Sequence, residues 1–127
     1  MKNLIILNLL IIPFLYGKAL FPQENIDTEE LYINGKSRGY HLLDKNSYVV
    51  SGPSVVTIYA RLAVPKKEKG IHSFSVISFL SGMSESVNTF HKKFDSSVSS
   101  LLHPMHRYTK SGKIKIKIPE GDFLLVL

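Results

Sequence analysis

The sequence predicts an all-β fold: a small antiparallel β-sandwich of about seven strands. Two observations predict it. Short apolar runs alternate with polar residues at the two-residue period of a strand. Turn chemistry separates the runs, at Asn34-Gly35, Asp44-Lys45-Asn46, Ser51-Gly52-Pro53, Ser81-Gly82 and Pro119-Glu120-Gly121-Asp122.

The chain opens on Met1-Lys2-Asn3, a short positive stretch. An apolar run follows over 4–16, interrupted only by Asn8 and Pro13, and then Gly17-Lys18-Ala19. This is the three-part pattern of a secretory signal peptide over 1–19, cleaved after Ala19. The rival reading is an uncleaved anchor, but a spanning helix needs about 20 apolar residues, and this run is shorter and broken. The expectation is therefore an exported protein, periplasmic or extracellular, with no stable membrane span after cleavage. Residues 20–30 carry Pro22, Glu24, Asp27, Glu29 and Glu30 and read as an acidic linker or N-terminal arm. Residues 31–127 are one domain's worth of chain.

Within that domain, Leu31-Tyr32-Ile33 meets Asn34-Gly35, a pair that tolerates positive φ and favours tight hairpins. Runs at 40–43 and 48–50 follow. The clearest strand covers 55–64, with Val56, Ile58, Ala60, Leu62 and Val64 on one face and Val55, Thr57, Tyr59, Arg61 and Ala63 on the other. Pro65 ends it. The run 71–80 is apolar on both faces, as a central strand would be. The stretch 84–102 admits two readings. Val87, Phe90, Phe94, Val98 and Leu101 recur at helical spacing, which allows one helix over 85–102. Its many Ser, Thr, Asn and Val residues are weak helix formers and favour strand plus loop. Finally, 113–118 alternates Lys with Ile, and 123–127 is apolar; with the turn between them they predict a C-terminal hairpin.

Composition excludes several chemistries. There is no Cys, so disulfides, thiol catalysis and Cys-ligated zinc are absent. From Leu31 onward 14 Lys and Arg stand against 6 Asp and Glu, a balance that suits an anionic neighbour as well as plain solubility. Export and the lack of a recognition motif argue against nucleic acid.

Each motif has a bland counterpart. Gly35-Lys36-Ser37-Arg38-Gly39 fits the G-x-S-x-G pattern of serine hydrolases, but no helix follows to make the nucleophile elbow, so a Gly-rich turn is the better reading. It is not a P-loop, since position 30 is Glu. His91, His103 and His106, with Met105, could be offered to a metal, but their spacing fixes no site. Glu85, Asp95, Glu120 and Asp122 have no separation that sequence can supply, and separation decides paired-carboxylate chemistry. The five tyrosines after residue 19, Tyr32, Tyr40, Tyr48, Tyr59 and Tyr108, could stack on sugars or simply pack across strands. The strongest local feature is the row Lys113, Lys115, Lys117, with Lys110 and Arg107 nearby in sequence. It reads as a basic contact face or as an edge guarded against unwanted pairing.

The resulting expectation is a non-catalytic binding or adhesion module of the cell envelope, without catalytic residues, metal or cofactor. Its contact surface is Lys113, Lys115 and Lys117, with Tyr59 and Arg61 as a second patch, and its partner an anionic glycan or other envelope component. The alternative is a structural or assembly protein that pairs with a protein partner through a sheet edge or its C-terminal strand, or a fragment of a larger exported protein.

Overall fold

The computed structural model describes residues 4–8, 22–24, 28–43 and 45–127. Its strands are β1 (Leu4–Asn8), β2 (Thr28–Ile33), β3 (Lys36–Leu42), β4 (Ser47–Pro65), β5 (His72–Leu80), β6 (Ser86–Lys92), β7 (Val98–Ser99), β8 (His106–Tyr108) and β9 (Gly112–Val126). All pairings are antiparallel. The ladder order is β6-β5-β9-β4-β1-β3-β2-β7, with β8 also on β4. The strands form two antiparallel sheets, a small β-sandwich. No helix occurs among the described residues, so none there is long and apolar enough to cross a membrane.

The hairpin β2–β3 forms where the sequence places it. Asn34 (φ 52°) and Gly35 (φ 79°) make its two-residue turn, and positive φ at both positions matches the twist of the flanking strands. Ser37 therefore lies exposed on β3, opposite Tyr32, with no helix after it.

β4 and β9 are the spine. They pair from Ser47↔Val126 to Ala60↔Gly112, with one shift of register between Gly52 and Ser54. Across the shift, Pro53 faces both Pro119 and Glu120, the two-against-one arrangement of a β-bulge. This corrects the C-terminal hairpin expected from sequence. Residues 113–118 and 123–127 do not fold back on one another; β4 runs past both and serves as partner to each. For the same reason Ser51-Gly52-Pro53 does not end a strand. Turn residues and bulge residues are chemically the same, because both need Gly at close approaches or at positive φ.

The helix allowed over 85–102 is also corrected. β6 pairs with β5 from His72↔Lys92 to Ser78↔Ser86, and Ser75 Oγ and Thr89 Oγ1 share a 2.8 Å hydrogen bond across that ladder. The apparent helical stripe is scattered: Val87 and Leu101 are exposed, Phe90 packs over Gly112, and Val98 sits in a core. β5 itself is not apolar-buried on both faces. Phe74, Val76, Ser78 and Leu80 point inward, while Ile77 and Phe79 are exposed.

Two cores sit on opposite faces of β4. Val56, Ile58, Ala60, Leu62 and Val64 pack with Phe74, Val76, Leu80, Ile114, Ile118 and Leu125. On the other face Ala63 packs with Leu31, Tyr40, Val98 and Tyr108. The second core draws β2 into the sheet from Thr28, inside the stretch read as an arm.

The signal-peptide segment lies outside the described residues except for β1. That strand runs antiparallel to β3 (Ile6↔Leu42, Leu7↔His41) and to β4 (Leu4↔Ala63 through Asn8↔Tyr59). Cleavage after Ala19 would remove it. Backbone amides at 59–63 are thus expected to exchange hydrogen faster in a chain starting at Leu20 than in the full chain. Hydrogen-exchange mass spectrometry of the two forms reads this, and equal protection would contradict it.

Candidate functional site

The lysine row is assembled by the β4–β9 ladder. Lys113 stands opposite Tyr59, Lys115 opposite Thr57 and Lys117 opposite Val55. Because side chains alternate, the three lysines share one face and are exposed, while Ile114 and Ile118 are buried on the other. The Lys113 ammonium lies 5.8 Å from the centre of the Tyr59 ring, within reach of a cation–π attraction. Among the described residues the salt bridges are Arg61–Asp95 and His103–Glu29; neither uses a lysine. The row's charge therefore has no acidic partner there. Along 112–118, β9 pairs with β4 alone among the described strands, so the row also guards an edge.

The structure brings Tyr59 to the lysine row and takes Arg61 away from it. Arg61 lies on the same β4 face but is buried. Its Nε donates to Tyr40 Oη at 2.8 Å, and its Nη1 donates to Thr109 O at 2.9 Å and to Asp95 Oδ2 at 3.1 Å. The guanidinium is spent on internal bonds, so the expected second patch reduces to Tyr59. Burial pushes the Asp95 carboxyl up, but hydrogen bonds from Ser97 and Arg61 and the Arg61 charge outweigh it, and the net shift is downward. Alternation puts Arg61 on the mixed face; it carries no sign that the loop after β6 folds over it.

A second buried polar group escapes the sequence reading. Glu29, on β2 within the stretch read as an arm, is 3% exposed. Its Oε1 accepts from His103 Nδ1 (2.6 Å), Ser100 Oγ (2.7 Å) and Tyr108 Oη (2.8 Å), and its Oε2 is buried without a partner. A carboxylate orienting an imidazole resembles half of a hydrolytic triad. Here, though, Ser100 donates to the carboxylate and not to the imidazole, so no nucleophile is activated. The group ties β2 to the segment 100–108. Burial pushes the Glu29 carboxyl up; the bonds from Ser100, His103 and Tyr108 and the His103 charge outweigh it, leaving the pKa below the ordinary value. A carboxyl lowered on folding adds stability above its unfolded pKa, and that stability is lost as pH falls through the folded pKa. Thermal unfolding followed from pH 7 downward is expected to show a falling Tm below about pH 4.5. Glu29→Gln is expected to flatten part of that fall and to cost about 1–3 kcal/mol at pH 7. An unchanged pH profile in the variant would contradict this role.

The other candidates disperse. His91 bonds Ser73 Oγ on the β5–β6 hairpin (2.6 Å), whereas His103 and His106 stack with ring centres 5.2 Å apart. Among the described residues no three His, Asp or Glu gather as metal ligands would. Tyr40, Tyr48 and Tyr108 are buried, leaving Tyr32 and Tyr59 partly accessible. Asp95 is bound to Arg61, Asp122 to Ser51 (2.6 Å), and Glu85 and Glu120 are exposed.

No protein-family model, curated protein or solved structure matches this chain.

Proposed function

We propose that the domain is an exported, non-catalytic binding module of the cell envelope that holds an anionic glycan on the lysine face of β9. One observation carries the reading: Lys113, Lys115 and Lys117 stand exposed in one row, without acidic partners among the described residues, with the Tyr59 ring beside Lys113. A row of like charges at two-residue spacing repeats about every 6.8 Å. Such a row attracts a polyanion, and an adjacent tyrosine adds an apolar face and a hydroxyl for a sugar.

Retention of the exported protein on the envelope polysaccharide fraction tests it. Low salt should retain the wild type and high salt should release it, since exposed charges are screened. The variant Lys113→Gln, Lys115→Gln, Lys117→Gln should bind at least about tenfold more weakly at low salt. Its stability should change by less than about 0.5 kcal/mol per site, as for other exposed positions. Equal retention of both proteins sinks the reading.

A second reading, assembly with another chain, is favoured by a different observation. Val49, Ile77, Phe79, Val87 and Leu124 are exposed, and the register joins them on one outer face through Ile77↔Val87, Phe79↔Val126 and Val49↔Leu124. Self-association abolished by Ile77→Lys would support it. The C-terminal strand is less available, being paired to both β4 and β5.

A further inference from the structure

Beyond the lysine row, the end of β4 and the segment 94–107 enclose a cleft of about 440 Å³, lined among others by Lys66, Phe94, Ser96, Ser99, His106 and Arg107. We propose that this cleft binds the carboxylate of a hexuronate, the acidic sugar unit of a glycan.

Arg107 is held on β8, which pairs with the end of β4, and Lys66 directly follows β4. Pro65 is in register with His106 and Val64 with Arg107, and the Lys66 amide donates to Met105 O at 2.9 Å. The Arg107 guanidinium lies 5.5 Å from the centre of the Phe94 ring. That stack limits the fork's orientation and leaves its edge for a planar, two-oxygen acceptor. Asp95, the acid in the wall, is already engaged by Arg61 and Ser97. It does not neutralise Lys66 or Arg107, and neither forms a salt bridge among the described residues. His106 is fixed by its stack on His103 and by an edge contact with Tyr108, ring centres 6.5 Å apart. Its Nδ1 is buried with no hydrogen-bond partner.

Lys66 and Arg107, neither in a salt bridge among the described residues, call for an oxyanion. The volume calls for something larger than an isolated ion, since clefts of about 300–1,000 Å³ take small organic ligands. The Ser96 and Ser99 side chains in the wall suit ring hydroxyls. The cleft shares a ligand class with the function proposed above, and it rests on that reading only for the source of the sugar; it uses none of the lysine row.

Titration of the full-length, isotope-labelled protein with glucuronate, glucose and inorganic phosphate, followed by NMR shifts, tests it. Glucuronate should give saturable shifts at Lys66 and across 94–107. Glucose should give none, and phosphate should bind at least about tenfold more weakly than glucuronate. Arg107→Ala should weaken glucuronate at least about tenfold, while the triple lysine variant should bind it as the wild type does. Arg107 is exposed, so its loss should leave the fold intact, which the unperturbed spectrum would verify. Absence of saturable shifts overturns the site. Phosphate binding as tightly as glucuronate overturns the sugar assignment. Loss in the lysine variant, with Arg107→Ala unaffected, assigns the sugar to the lysine face and overturns the cleft alone.

Discussion

Arg61→Ala is expected to destabilise the domain by about 3 kcal/mol or more, the cost of leaving a buried ionic partner uncompensated. The substitution removes the donor to three groups at once: Tyr40 Oη, Thr109 O and Asp95 Oδ2. Tyr40 belongs to β3, Thr109 follows β8, and Asp95 lies in the loop after β6, so one guanidinium joins three separate segments to β4. The side chain of Asp95 is 21% exposed; water can rescue part of its charge, which places the effect at the low end of the range for buried pairs. Urea unfolding of wild type and variant measures the difference. A loss below about 1 kcal/mol would mean the network is solvated in a way the burial of Arg61 does not suggest. Arg61→Lys should recover little, because an ammonium cannot reproduce the guanidinium fork that reaches Tyr40 and Thr109 together.

Gly52→Ala has an effect of similar size through sterics. A methyl group there would overlap the backbone carbonyl oxygens of Pro119 and Ile118 and lie 2.7 Å from the Pro119 carbonyl carbon. Backbone atoms cannot rotate away as a side chain can, so the bulge must open or β9 must move. The expected loss is about 3 kcal/mol, the upper part of the range for overpacking. Gly39→Ala is the control: nothing lies within 4 Å of a Cβ added there. It should change stability by less than about 1 kcal/mol, with the shorter list of unfolded conformations working in its favour. Equal stability of the two variants in thermal unfolding would remove close approach as the reason for Gly52.

The features legible in the sequence are those set by local period. The apolar face of β4, the Asn34-Gly35 turn and the Lys–Ile alternation of β9 need only neighbouring residues to specify them. The bulge was not legible, because Gly52-Pro53 and Pro119-Glu120-Gly121 have the same composition as turns. What distinguishes them is a partner strand that continues past both, more than fifty residues away in the chain. The burial of Glu29 and Arg61 was hidden for a related reason. Glu29 sits among polar residues and Arg61 on the mixed face of an apolar strand, and each bonds to residues of the segment 95–109, distant in the chain. Of the expected contact residues, the shared exposed face of the lysines was readable from alternation alone. Arg61 was not, since alternation assigns a face without saying what folds over it.

The most direct test of the binding account is where an anionic glycan touches the protein. NMR shifts should be mapped on the full chain during titration with dextran sulfate at low salt, with neutral dextran as control. The largest shifts are expected on Lys113, Lys115, Lys117 and Tyr59; they should vanish at high salt, and neutral dextran should produce none. Salt-sensitive shifts confined to other faces, or no shifts with the sulfated polymer, would contradict the binding account.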